Sequence, residues 1–311
     1  MTAAAFPASG APPRPASPRP APPRRARAGA ALKHRRTVTN AVMLGLLGAA
    51  ALVAVLPLAF ILFYLFKAGF SSINLAFFTH GPAPVGETGG GMGNAIVGTL
   101  VLVGMACVVG LPVGVGAGIY LAEFRGGRLA TAVRFLSDVL NGLPSIVIGI
   151  FAWSLFVRPV HHFSALSGGV ALGAMMIPLV TRTTEELIRT VPNALREAAL
   201  ALGYPRWRTS LTIVLRTALP GIATGALVAI ARIAGETAPL LFTAFGNQFW
   251  SFSPTQPIAA MPLQIFNYAI SPYDEWHAQA WAGALVLLLL IFFLSVAARL
   301  ATRTRYGAGG D

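Results

Sequence analysis

The sequence predicts an all-α integral membrane protein with six transmembrane helices and a helical loop on the cytoplasmic side. Hydrophobic residues make up 55% of the 311-residue chain and charged residues only 11%, with a mean hydropathy of +0.69. An ordinary soluble domain is much less apolar. The apolar residues also fall into separate runs, each near the ~20 residues that cross a ~30 Å hydrocarbon core. Together these observations exclude a soluble fold.

Six apolar runs follow one another along the chain and are predicted to be membrane helices. The fourth is short and contains Pro178, which membrane helices tolerate. A lone cysteine, Cys107, lies in the second run, so neither a disulfide nor a cysteine metal site can form within one chain. The predicted helices cover residues 41–66, 94–122, 137–157, 168–184, 219–246 and 280–300.

The distribution of Lys and Arg predicts the orientation of the chain. Eight basic residues precede the first helix, three lie in loop 123–136, five in loop 185–218 and two in the C-terminal tail. Loops 67–93, 158–167 and 247–279 contain only two. Because short loops rich in Lys and Arg stay in the cytoplasm, both termini are predicted to be cytoplasmic. This asymmetry accounts for the net charge of +13 without a nucleic-acid partner.

The chain is predicted to contain one membrane domain, residues 37–305, between two tails. Residues 1–36 are rich in Pro, Ala and Arg and have little to bury, so they are expected to be disordered and solvated. Weak attraction of their arginines to anionic lipid is the alternative. No cleaved signal peptide is expected, since the first apolar run is a full span. Residues 306–311 form a short C-terminal tail.

Loop 185–218 is long and patterned, and it predicts two short helices joined by a glycine corner. The segment "NALREAALAL", residues 193–202, predicts a helix with Asn193 as its N-cap and Gly203 as a left-handed residue at its end. A second amphipathic segment follows Pro205. The pair is predicted either to lie on the inner leaflet or to bind another protein.

Two charges interrupt the fifth apolar run. Arg232 and Glu236 are four residues apart, so they share a helical face, ~20 Å from a helix start near Leu219. A charge at that depth costs from ~3 kcal/mol upward, so this face should point at protein or water. The pair is predicted either to join the helix to a neighbour or to bind a passing oxyanion. In the second case the guanidinium binds the anion, and Glu236 orients it and limits the affinity.

Other charged and polar residues predict no chemistry. The adjacent His161 and His162 lie in a short loop without further ligands, so no metal site is expected. Glu185 and Glu186 lie near arginines at the end of helix four and predict surface ion pairs of little energetic value. The chain shows no constellation of a nucleophile with an acid or base, so no catalytic residues are predicted.

An ATPase site of the P-loop type is also absent from the sequence. Its phosphate-binding loop needs the pattern GxxxxGK[ST]. The chain has two lysines, Lys33 and Lys67, and neither follows a glycine. Energy for any active process must therefore come from another subunit.

Several segments resemble the PstA-type permease subunits of phosphate ABC importers, over roughly residues 40–300. "EAA" at 197–199, with Gly203 and "IVL" at 213–215, resembles the EAA motif of binding-protein-dependent permeases in general. Arg216 stands where that motif usually has proline. The segments that resemble the phosphate branch are "NGLPSIVIGIF" at 141–151, "LVTRTTEELIRTVPNALREAALALG" at 179–203 and "ARIAGETAPLLFTAFG" at 231–246.

This resemblance implies a type I, MetI-like permease of the bacterial inner membrane and not an enzyme. Its implied partners are a second, PstC-like permease, a PstB-like ATPase dimer that binds ATP and Mg²⁺, and a PstS-like extracytoplasmic binding protein that delivers inorganic phosphate. No cofactor is implied in this chain. The residues implied to line the phosphate pathway are Arg232, Glu236 and Thr237. Those implied to couple to the ATPase are Glu197, Ala198, Ala199 and Gly203.

Three alternatives remain open from the sequence. The permease could carry another oxyanion, such as sulfate or molybdate. A membrane enzyme acting on lipid phosphate could use Arg232 to bind the head group, but it would also need reactive groups at the membrane surface. A receptor or scaffold would leave the charges in the fifth apolar run unexplained.

Overall fold

The computed structural model describes residues 24–84, 87, 89–124 and 126–306, and this part of the chain is helical. A β-bridge between Phe245 and Ile258 adds a short extended contact. The α-helices of the described residues are α1 Arg24–Gly69, α2 Leu75–Thr79, α3 Gly93–Glu123, α4 Arg128–Gly142, α5 Ser145–Ala152, α6 Ala165–Arg189, α7 Asn193–Ala201, α8 Arg206–Thr209, α9 Leu215–Ala234, α10 Ala238–Thr243, α11 Met261–Ala269 and α12 Asp274–Tyr306.

The chain divides into two units, Met1–Ile61 and Leu62–Asp311. In the first unit, the described residues belong to α1. This helix begins at Arg24 and so includes part of the segment 1–36 that was predicted to be a disordered tail; Ala, Arg and Lys in that part have high helix propensity. Residues 1–23 of the predicted tail lie outside the described residues, as do 307–311 at the other terminus.

Five helical segments of the described residues are long and apolar enough to cross a membrane, or six if a bent pair is counted as one span. This confirms the predicted all-α membrane fold. The five are 35–72, 93–123, 165–189, 206–234 and 274–297, and the bent pair is 128–142 with 145–157.

The predicted third helix, residues 137–157, is wrong as a single straight span. α4 ends at Gly142, and the helix that follows, α5 with its π-helical extension Trp153–Val157, makes an angle of 107° with it. Pro144 explains the bend, because proline lacks an N–H and keeps the preceding residue out of the helical region. Leu143 is accordingly extended, with ψ 137°.

The predicted fifth helix, residues 219–246, is wrong at both ends. The span begins at Arg206, because α8 and the π-helical segment Ser210–Val214 continue into α9. The second short helix predicted after Pro205 is therefore the start of this span. α9 then ends at Ala234, and α10 begins at Ala238. Glycine at 235 and Pro239 in the first turn of α10 are typical of a helix end followed by a new start.

α3 and α6 lie side by side in the same direction and form the centre of the second unit. Leu102, in the third turn of α3, faces Gly168 in the first turn of α6, and Gly118 faces Thr184 near the ends of both helices. Glycines at every fourth position of α3 make this close approach possible, because a Cβ there would collide with α6. The facing pairs are Gly110 with Met176, Gly114 with Val180 and Gly118 with Thr184.

We expect Gly118→Ala to destabilise the chain by about 1–3 kcal/mol, the usual cost of overpacking. A Cβ at this position would lie 2.5 Å from the Cβ of Thr184 and 2.7 Å from the carbonyl oxygen of Thr181. Gly116→Ala is the matched control, since a Cβ there meets no atom within 4 Å. Thermal unfolding of the purified chains in detergent measures the difference. Equal melting temperatures for the two variants would contradict the close packing of α3 on α6.

The parallel course of α3 and α6 defines two ends of the bundle. We call the end where they begin the α11 end; there Ser164 donates its N–H to the carbonyl of Thr243, and Met92 donates to Phe77. We call the end where they finish the α7 end. It carries Glu123, α7 and the start of the Arg206–Ala234 span.

Candidate functional site

The break between α9 and α10 lies deep in the bundle. Ile233 and Ala234, at the end of α9, belong to one buried apolar cluster with Leu102 and Val103 of α3 and Met176 of α6. Leu102 is about 14 Å along α3 at 1.5 Å per residue. Because α3 spans the bundle, the end of α9 lies between the two membrane-facing ends and not at either of them.

Local hydrogen bonds close both sides of this break. Gly235 and Glu236 donate their N–H groups to the carbonyls of Arg232 and Ile233, each at 3.2 Å. On the far side, the carbonyl of Thr237 accepts from Leu240 and Leu241. Non-helical backbone at membrane depth is tolerated where it is buried in protein or borders a water-filled cavity. Broken helices of this kind form the substrate sites of many transporters.

Arg232 lies in the last turn of α9 and is loosely paired. Its Nε is 3.9 Å from Oε1 of Glu236, beyond the ~2.7–2.9 Å of a charge-assisted hydrogen bond. Its side chain is 59% exposed, whereas that of Glu236 is 19% exposed. Among the described residues, the guanidinium of Arg232 makes this one ion pair and no closer hydrogen bond. Most of its donors are therefore available to a ligand.

Thr237 lies beside a separate cavity of about 610 Å³. Gly235 and Thr237 form one edge, and the remaining lining comes from apolar residues of α11 and α12 such as Pro262, Ile265 and Leu287. The three residues predicted for the pathway are thus brought together at one helix break. The Arg232 side chain is largely exposed, and Thr237 borders the open cavity.

The predicted coupling helix is present as α7, and its glycine corner is confirmed. Gly203 has φ +84°, a left-handed conformation that favours glycine, and its N–H bonds to the carbonyl of Leu200. The predicted N-cap is wrong by one position. Pro192 is the N-cap and Asn193 is already helical; the Asn193 side chain instead accepts a hydrogen bond from Arg196.

The residues predicted to couple to an ATPase do not share one face of α7. Glu197 and Ala198 are exposed, and Gly203 is open, because a Cβ at that position would meet no atom within 4 Å. Ala199 is buried within this chain, at 1% exposure. Leu202, at 79% exposure, lies in the open at the end of the helix. The surface that another protein could bind therefore includes Ala198 and excludes Ala199.

Arg196 fastens α7 to the rest of the bundle. It donates to the carbonyls of Val191 at 2.8 Å and Ile188 at 3.1 Å, beyond the end of α6 and in its last turn. It also donates to Glu123 at the end of α3, at 3.3 Å. A cation at helix C-termini is favourable because the last carbonyls lack helical partners. One side chain thus ties α7 to both central helices.

The prediction that Glu185 lies at the surface is wrong. It is 1% exposed, and its carboxylate accepts hydrogen bonds from three arginines. Two of these, Arg182 and Arg189, precede and follow it by three and four residues on α6, so their proximity was visible in the sequence. The third, Arg134 of α4, is 51 residues away, and only the fold brings it close.

Sequence comparison identifies relatives of the whole membrane domain. The profile of the family described as binding-protein-dependent transport system inner membrane component matches residues 114–305. The chain is 46% identical to the phosphate transport system permease protein PstA of Yersinia pestis, over 85% of this chain and 90% of that one. It is 45% identical to the PstA of Haemophilus influenzae, over 85% and 94% of the two chains.

Structural comparison agrees at the level of the fold. An inward-facing structure of the MetNI methionine ABC transporter superposes with a TM-score of 0.57 and 17% identity, over 68% of this chain and 96% of that one. A second crystal form of the same transporter gives a TM-score of 0.53. With the fold and the sequence relatives in agreement, the chain belongs to the family of binding-protein-dependent transport system inner membrane components, and within it to the PstA-type permeases.

Proposed function

We propose that this chain is a membrane-spanning permease subunit of an ATP-driven importer of inorganic phosphate. The observation that carries the proposal is the loosely paired Arg232 at a helix break inside the bundle. A planar guanidinium presents paired donors that match a tetrahedral oxyanion. Relatives that are 45% and 46% identical over most of the chain are named phosphate transport permeases, which supports phosphate as that anion.

Glu236 gives the site a means of release. A carboxylate one turn from Arg232 keeps the guanidinium oriented, and its negative charge opposes an anion bound too tightly. The hydroxyl of Thr237 follows directly and can donate to the same anion. No covalent chemistry is proposed, and the chain acts as a transport subunit and not as an enzyme.

The assembly around this chain is proposed from the family to which it belongs. A permease of an ABC importer works with a partner permease and an ATPase. We infer that the partner is PstC-like, that a PstB-like ATPase dimer binds ATP with Mg²⁺, and that a PstS-like binding protein delivers phosphate. The proposed ATPase contact consists of Glu197, Ala198 and Gly203. Ala199 lies on the buried face of α7, packed against the rest of this chain.

The same proposal orients the chain in a bacterial inner membrane. The α7 end would face the cytoplasm, where the ATPase is, and both termini would be cytoplasmic, as the excess of Lys and Arg on that side favours. ATP-driven closure of the ATPase would then move α7 and switch access to the break between the two sides of the membrane.

Uptake by cells lacking their own importer tests the substrate. We expect ATP-dependent accumulation of radiolabelled phosphate when this chain is expressed with its second permease, ATPase and binding protein. A tenfold excess of sulfate or molybdate should leave the rate unchanged, and unlabelled phosphate should abolish the signal. Uptake that sulfate or molybdate blocks, or that proceeds without ATP, would contradict the proposal.

A further inference from the structure

Glu185 and three arginines form an ionic cluster at the α7 end, and its arrangement joins three helices. Oε1 of Glu185 accepts from Arg134 Nε at 2.8 Å and from Arg189 at 2.6 Å, while Oε2 accepts from Arg182 at 3.1 Å. Arg134 also donates to the carbonyl of Leu121, in the last turn of α3, at 2.8 Å. α4 is thereby fixed to α6 and α3 at one point.

A second contact of the cluster also joins α4 to α6. Arg182 of α6 pairs with Asp138 of α4, with both carboxylate oxygens in contact with one nitrogen of the guanidinium. Arg134 and Asp138 are four residues apart and so occupy one face of α4. This face of α4 carries one positive and one negative group, which pair with Glu185 and Arg182 of α6. The two crossed pairs define both the position and the rotation of α4.

Apolar packing does little to hold α4 in place. Ala130 and Ser137 are its buried residues within the described chain, and both are small. Three of its large apolar side chains, Leu129, Phe135 and Leu136, are more than half exposed, and Val133 and Leu140 are half-buried. The ion pairs Arg134–Glu185 and Asp138–Arg182 therefore supply the specific contacts that join α4 to α6. A buried ion pair is weak evidence for stability but can specify one arrangement of helices.

α4 is the near end of a continuous path to the proposed phosphate site. After the bend at Pro144, α5 packs closely on α10: a Cβ on Gly149 would lie 2.7 Å from the Cα of Pro239. α10 begins two residues after Glu236. α4 is therefore connected to the helix break beside Arg232 through one bend and one tight contact.

The opposite end of the path is the coupling helix. Arg196 binds α7 to the last carbonyls of α6 and to Glu123 of α3. Glu185 lies one turn before Ile188, whose carbonyl Arg196 contacts. One series of contacts runs through α7, α6, α4, α5 and α10, and Glu185 is the buried contact between the second and third of these helices. α6 also packs directly on α9, where Thr183 meets Gly225, and on α10, where Gly168 meets Leu240.

We propose that Glu185 is a positioning residue for energy coupling, which makes α4 follow α6 and α7 so that movement at the ATPase-binding loop reaches the break at residues 235–237. The inference rests on the proposed function, because it needs a moving ATPase and a transported anion. Spatial continuity alone does not establish coupling, so the test must separate ATP hydrolysis from transport.

The experiment uses the complete importer in liposomes, with phosphate accumulated per ATP hydrolysed as the readout. We expect Glu185→Gln to lower this ratio at least tenfold while ATP hydrolysis stays within twofold of wild type. Glu186→Gln is the matched control: it removes the same charge from the next residue, which is exposed and makes no ion pair within the described chain. An unchanged ratio in Glu185→Gln, or an equal loss in Glu186→Gln, overturns the inference.

A second variant keeps the test decisive if Glu185→Gln does not assemble. Arg134→Lys retains the charge but loses the fork that contacts Glu185 and the Leu121 carbonyl together. The assembled variant should also show a lowered ratio, and a wild-type ratio overturns the inference. If Arg134→Gln and Glu185→Gln each assemble as single variants, the double variant should be no worse than Glu185→Gln alone. Additive losses would show that the two residues act separately and would overturn the inference.

Failure of the proposed substrate gives a different result. In that case wild-type liposomes accumulate sulfate or molybdate in place of phosphate, and the same ratio is measured with that anion. If the wild-type importer couples phosphate uptake to ATP hydrolysis and the Glu185→Gln variant is equally well coupled, the proposed function stands and only the proposed role of Glu185 is rejected.

Discussion

Arg232→Gln should lower phosphate uptake by about 100-fold while the permease still assembles in the membrane. Glutamine keeps most of the side-chain volume but loses the charge and the paired donors. If phosphate passes against the guanidinium, losing a charge-assisted bidentate contact costs about 3 kcal/mol, which corresponds to about 100-fold. Because the side chain is 59% exposed and only loosely paired with Glu236, its replacement should not unfold the helix. Initial rates of radiolabelled phosphate uptake measure the effect.

Two controls separate binding from structure in this experiment. Arg232→Lys keeps the charge without the fork, so its uptake should fall between those of wild type and Arg232→Gln. Glu236→Gln removes the internal partner, and phosphate should then bind more tightly and be released more slowly. Wild-type uptake by Arg232→Gln, with normal amounts of assembled complex, would return Arg232 to a purely structural role.

Ala198→Trp should lower the affinity of the ATPase for this subunit at least 100-fold. Ala198 is exposed on α7, and a helix that docks in a groove needs a small side chain at its closest approach. The tryptophan would point away from this chain, so the stability of the chain itself should change little. Copurification of the ATPase with the tagged permease, followed by titration of the ATPase, measures the loss.

Ala132→Trp provides the matched control for the coupling helix. It makes the same replacement at an exposed alanine of α4, at the α7 end but away from α7. The ATPase should bind this variant with wild-type affinity. Undiminished binding to Ala198→Trp would place the ATPase contact elsewhere on the α7 end, and equal losses in the two variants would indicate general misassembly.

Much of the fold was predictable because membrane helices are encoded locally. Each span must be apolar over about 20 residues, and hydropathy reports this directly. The helix α7 and its corner were also local, since Gly203 adopts the left-handed conformation that few other residues adopt. The bend at Pro144 and the break at Gly235 interrupt otherwise apolar runs. Hydropathy alone therefore predicted one continuous helix across each interruption, although Pro144 and Gly235 are residues that often end a helix.

The sequence predicted which residues belong to the candidate site, but it did not predict how the fold arranges them. Arg232 and Glu236 were recognisable because charges are rare in apolar runs. Their position at the end of a broken helix was not, because it depends on where α9 meets α3 and α6. The sequence analysis did not predict α11 for a different reason: a helix of nine residues is too short to give the hydropathy signal of a membrane span.

By itself, the sequence determined that this protein crosses a membrane, which loop carries the short helix with its glycine corner and which arginine lies deep in an apolar run. Each of these properties depends on residues close together in the chain. Tertiary structure alone decided that Glu185 is buried among arginines from two helices and that Ala198 is exposed while Ala199 is not. Burial depends on which surfaces meet, and for Arg134 and Glu185 that meeting joins residues 51 positions apart.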